Sequence, residues 1–122
     1  MRWLVHGSLT PAVADALRRH GHQASTLEEV SLSPDAPAGD VLDAAYTKQL
    51  DVLTNDAALV ESPFESPTKF GRTLVYLQLE GGDVEQDDAV DRLFKRYKRL
   101  SPGRLYTVTG TRVKVRQLPG RS

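Results

Sequence analysis

At 122 residues, 39% of them hydrophobic and 26% charged, the chain has the length and make-up of about one globular domain, and no apolar run approaches the roughly 18 residues of a membrane span. It contains no cysteine, which excludes disulfides, zinc knuckles and thiol nucleophiles and leaves carboxylates, histidines and water as metal ligands. Its 16 basic residues balance its 16 acidic ones, so nucleic acid would have to be held by a local patch rather than by overall charge.

Met1 leads directly into strand-like sequence with no basic and apolar leader, and a cytoplasmic location with no membrane partner is expected. Residues 2–6 (RWLVH) form a short apolar run. A helix follows, with Thr10 as N-cap and Pro11 at its first position; Val13, Ala16, Leu17 and His20 share one face, and Gly21 closes it. A short strand is predicted within residues 22–27, and the Pro-, Ser- and Gly-rich stretch 31–39 reads as a loop. Val41, Leu42 and Ala45 define a second helix opening near Asp40, after which residues 51–56 (DVLTND) return to strand.

Pro63 and Pro67 predict a broken segment up to Gly71, followed by an apolar strand over 72–80 of the kind found centrally in parallel sheets. Asp83 opens a long helix with an apolar stripe of Val90, Leu93, Phe94, Tyr97 and Leu100, stopped by Pro102 and Gly103. Its first half is acidic and its second half basic (Lys95, Arg96, Lys98, Arg99), as a helix dipole favours. Two last strands, RLYTVT and RVKVRQL, flank a turn at Gly110 and predict a hairpin. The alternating order predicts an α/β fold in three layers, with a mostly parallel central sheet and a C-terminal antiparallel hairpin, in a single domain over residues 1–122.

In such a sheet, ligands bind beyond the C-terminal ends of the strands. If the first and third strands are neighbours, that rule gathers His6, Ser8 and Asp56, with Asp40 or Asp35 as further carboxylates. Grouped carboxylates hold Mg²⁺ or Mn²⁺, which activate water against a phosphodiester. Asp56 is also suited to cap the turn of Ala57, Ala58 and Leu59, and His6 to be a solvated strand-end residue, the default for such positions. Ser8 as a nucleophile with His6 as base lacks the Gly-x-Ser-x-Gly elbow. His20 and His22 sit at a helix end, where the dipole favours imidazolium over a metal role. Arg112, Lys114 and Arg116 alternate with Val113 and Val115 in one row. With Lys95 and Arg99 they could follow a phosphate backbone, or they could guard an edge strand against aggregation.

Three stretches together resemble the short PIN-like proteins, relatives of the toxin ribonucleases. LVHGSLTPAVADALRRHGHQ stands for that family's opening "LVDENLPP…LAxxLRxxGHD", DVLDAAYTKQLDVLTND for its acidic residue, short helix and "vLvTxD", and PGRLYTVTGTRVKVRQLP for its closing hairpin. The resemblance covers nearly the whole chain. It implies a PIN-like fold and, in intact members, acidic residues that hold a divalent metal for RNA cleavage. Asp56 matches the "TxD" aspartate, and Asp40 falls within a position or two of the acidic residue ahead of the helix. His6 stands where the strand-end aspartate belongs, and Ala58 where a second aspartate often follows.

Replacing that carboxylate by imidazole removes a charge and a hard oxygen, both of which Mg²⁺ prefers. Catalytic and metal roles are accordingly expected of Asp56, Asp40 and His6 only in a degenerate form, with the metal lost or exchanged for one that accepts imidazole. The expectation is an RNA- or partner-binding protein with weak or no nuclease activity. Its rivals are an active ribonuclease completed by Asp35 or Glu80, and a module that binds an antitoxin-like protein; a homo-oligomer is compatible with each.

Overall fold

The computed structural model describes residues 1–65 and 70–119. In chain order the elements are β1 (Arg2–His6), α1 (Pro11–Arg19), β2 (Gln23–Ser25), a 3-10 turn (Glu28–Val30), α2 (Ala38–Thr47), β3 (Asp51–Thr54), α3 (Ala57–Glu65), β4 (Leu74–Leu77), α4 (Asp83–Arg96), β5 (Arg104–Val108) and β6 (Val113–Gln117). The strands form a 6-stranded sheet in the order β2-β1-β3-β4-β5-β6. Neighbours are parallel from β2 to β5, and β5 and β6 are antiparallel. This is the expected α/β architecture with its terminal hairpin.

Strand alternation divides the core between the two faces of the sheet. Trp3, Leu53, Val75, Tyr106 and Val108 pack with Val13, Ala16 and Leu17 of α1 and Ala89, Val90 and Leu93 of α4. Leu4, Val52, Leu74 and Leu105 pack with Val41, Leu42 and Ala45 of α2 and Leu59 and Val60 of α3. The three layers are thus α1 and α4, the sheet, and α2 and α3. Burial of each such Leu or Val side chain contributes about 1.5–3 kcal/mol relative to exposure.

Helix α1 begins as expected, with Thr10 accepting from the Ala12 N–H and Pro11 at the first position. A long-range tie was not foreseen: the buried Gln86 of α4 accepts from both the Thr10 N–H (2.9 Å) and its hydroxyl (3.1 Å), locking the start of α1 to α4. At the other end of the sheet, the buried Asp51 accepts from the Thr73 N–H at 3.0 Å and lies 3.4 Å from Arg72 Nε, joining the starts of β3 and β4.

The structure departs from the sequence expectation in three places: α3 is a helix where a turn and a broken segment were expected, β4 spans Leu74–Leu77 rather than residues 72–80, and α4 ends early. Pro63 does not break the chain but lies inside α3, its ring buried with Leu59 and Val60; Pro67 lies outside the described residues. A proline near a helix end forfeits one ladder bond, and burial of the ring offsets that loss. Helix α4 stops at Arg96 because Tyr97 turns extended (φ −133°, ψ 105°). Its ring then meets Tyr106 edge-on at 5.3 Å, and Tyr106 Oη accepts from the Ser101 N–H at 2.8 Å. Leu100 therefore reaches the core from the connecting segment rather than from the helix.

Candidate strand-end site

In this strand order the connections leave β1 and β3 in opposite directions, so a crevice opens between their C-terminal ends, the usual ligand position of such sheets. His6 and Thr54 are register partners across it. Both alternate with residues of the α1–α4 core and so face the α2–α3 layer. His6 is 8% exposed and Thr54 fully buried, so His6 is not the solvated strand-end residue that was one expectation.

A short hydrogen-bond chain runs through these groups. His6 Nδ1 lies 2.8 Å from Thr54 Oγ1, and Thr54 Oγ1 accepts from the Asp56 N–H at 3.0 Å. With one lone pair so used, the Thr54 hydroxyl proton is available to Nδ1, an arrangement complete when the neutral imidazole carries its own proton on Nε2. Burial lowers the His6 pKa below 6.5, and the nearby Asp56 charge only partly opposes it. At neutral pH His6 is uncharged.

Asp56 itself is exposed, and its Oδ1 accepts from the Ala58 N–H at 2.9 Å at the start of α3. Its side chain is a helix cap. Above the crevice, Asn55 reaches back to the β1 turn, with Oδ1 accepting from the Ser8 N–H (3.0 Å) and Nδ2 donating to Ser8 Oγ (3.1 Å). Gly7 makes this approach feasible: its φ is +98°, and a Cβ there would collide with Asn55 Oδ1. The Ser8 hydroxyl is thus engaged by Asn55, and no hydrogen bond joins it to His6 among the described residues.

The other carboxylates stay apart from this pair. Asp40 is exposed in the first turn of α2, Asp35 in the preceding turn and Glu80 beyond β4. None is hydrogen-bonded or ion-paired to His6 or Asp56 among the described residues. Nor do these residues contain a group of three or more His, Asp or Glu side chains able to hold a metal ion. One exposed carboxylate occupied as a cap, beside an imidazole whose Nδ1 is bound to Thr54, does not fit the hard oxygen shell of Mg²⁺. His20 and His22 are committed elsewhere: His20 Nε2 lies 2.7 Å from Asp91 Oδ1, and His22 stacks on Phe94 at 4.7 Å.

The basic residues do not gather at the crevice. Lys95 lies in the last turn of α4 and Arg99 follows the helix; as α4 returns from the end of β4 to the start of β5, both lie at the opposite edge of the sheet. Arg112 sits in the β5–β6 turn rather than in the strand. Lys114 and Arg116 pair with Thr107 and Leu105 and share their face, toward the α2–α3 layer. Arg116 lays its guanidinium 4.0 Å from the Phe64 ring centre. The three cations of the expected row and the two helix-end cations are therefore divided among both edges and both faces.

Thr54, Asn55 and Gln86 hold this region together and carried no assigned role in the sequence reading. Thr54 did leave a signal: two residues after Val52 and opposite His6, it is a polar side chain on a strand face that is otherwise apolar. No family model, curated protein or solved structure matches the chain. No helix among the described residues is long and apolar enough to cross a membrane.

Proposed function

We propose that the chain is a PIN-like protein of the toxin-ribonuclease lineage with a degenerate acidic site, which binds RNA without cleaving it efficiently. The observation that supports this is the state of His6: a neutral imidazole, hydrogen-bonded to Thr54, at the position where the resemblance calls for a metal-binding carboxylate. The test is divalent-metal titration together with cleavage of single-stranded RNA by wild type and His6→Asp. Feeble wild-type activity in Mg²⁺ or Mn²⁺, and tighter metal binding by the variant, are expected. Strong Mg²⁺-dependent cleavage by the wild type, abolished by Asp56→Asn, overturns the reading in favour of an active ribonuclease.

A second reading, an antitoxin-like protein partner, is favoured by β6. This strand ends the sheet, and Val115 on it is 36% exposed, so an incoming strand could extend the sheet there. Protein capture without salt-dependent RNA binding would support it over the RNA reading.

A further inference from the structure

We infer that RNA is held not at the strand-end crevice but at the opposite pole of the molecule, on the basic surface formed by Lys95, Arg96, Lys98, Arg99 and Arg104. The inference rests on the RNA-binding reading above and locates its surface. Its first support is topological. With β1 to β5 parallel and α4 antiparallel to them, the starts of β1 to β5 and the end of α4 lie at one edge of the sheet. That edge collects these five exposed cations. The opposite edge, where β1 to β5 end, carries the exposed Asp56, Glu80, Asp83 and Glu85, with Arg112 in the β5–β6 turn as an exposed cation there. The charge of a chain with no net charge is thereby unevenly spread, and a polyanion is drawn more to the first edge than to the second.

The second support is that these cations are not committed to ion pairs. None of the five forms an ion pair with a carboxylate among the described residues, whereas Arg18, Arg19 and Arg72 all do. A helix dipole accounts for Lys95 and Arg96 in the last turn of α4, but not for Lys98 and Arg99, which follow the helix. The third support is the aromatic ring between them. Tyr97 is half-buried, and the Arg96 guanidinium lies 5.3 Å from its centre. Cations beside a half-buried ring with a guanidinium over its face suit single-stranded RNA, whose backbone needs charge and whose bases need flat partners.

The experiment is fluorescence anisotropy of a labelled oligouridylate with the full chain across a salt series, comparing wild type, Lys98→Gln/Arg99→Gln, Lys95→Gln/Arg96→Gln and Lys114→Gln/Arg116→Gln. The first two variants should each bind about tenfold more weakly or worse at low salt, with the slope of log affinity against log salt reduced by about 1.4, at roughly 0.7 per lost phosphate contact. The third should bind within about twofold of wild type. Wild-type binding that persists unchanged in both pole variants overturns the inference and leaves the RNA-binding reading standing, as does loss confined to the Lys114/Arg116 variant. Wild-type protein that fails to bind RNA at low salt, or that binds polyglutamate equally well, overturns both.

Discussion

His6 Nδ1 and Thr54 Oγ1 meet at 2.8 Å across the β1–β3 crevice, and the same hydroxyl oxygen accepts the Asp56 N–H. One threonine thus serves a buried imidazole and a turn backbone at once. Thr54→Val keeps the shape but leaves both partners without their bond, and a loss of about 1–3 kcal/mol is expected in urea unfolding. Thr54→Ser, which retains the hydroxyl, should recover a large part of that loss. An unchanged midpoint in the valine variant would mean that the pair contributes nothing to the fold.

Protonation of the same imidazole predicts a pH dependence. The folded-state pKa of His6 lies below 6.5, and that of His22 is likewise lowered, first by burial and then by the chain amino terminus and His20. Between the folded and unfolded values the unfolded chain binds more protons, so stability rises with pH in that window. Acidification from neutrality through 6.5 and below should therefore lower the unfolding free energy, and His6→Gln should flatten that part of the profile relative to wild type. A profile equally steep without His6 would assign the effect to His22.

Asp56 distinguishes a cap from a metal ligand. An asparagine caps almost as well as an aspartate, whereas alanine does not, so Asp56→Asn should be near neutral and Asp56→Ala should cost about 1 kcal/mol. The readout is thermal unfolding with and without Mn²⁺. A metal-dependent stabilisation of wild type that Asp56→Asn removes would show the carboxylate acting as a ligand.

Gly7 and Asn55 should behave as a coupled pair. Gly7→Ala forces a Cβ into Asn55 Oδ1 at a positive φ, and destabilisation by about 1–3 kcal/mol is expected from the strain. Combined with Asn55→Ala, which clears the collision, the cost should fall below the sum of the two single changes. Strict additivity would show that the clasp over the crevice is loose in solution.

Much of the fold was legible because its signals are local. Thr10 and Pro11 announce α1, a continuous apolar run announces β4, and Gly110 announces the hairpin. The missed helix α3 and the early end of α4 have one cause, which is that tertiary contacts overrode local preference. Pro63 reads as a breaker until its ring is seen buried in α3, and Tyr97 reads as part of a helical stripe until Tyr106 draws it out. The crevice was legible as a meeting of His6 and Asp56, since strand order and strand ends suffice for that. The roles of Thr54, Asn55 and Gln86 were not, because each rests on a bond to a residue 47 or more positions away. The division of the basic row also escaped the sequence, because only the return of α4 across the sheet separates Lys95 from Lys114.

The separation of acidic strand ends from basic strand starts also bears on how the protein behaves in bulk. A formal net charge of +0 removes the mutual repulsion that keeps molecules apart, while opposed poles let neighbours align head to tail. Added salt screens that attraction over a Debye length of about 10 Å at 0.1 M. Solubility near neutral pH should accordingly increase on going from pure water to moderate salt, and the protein should be retained at low salt by cation and anion exchangers alike.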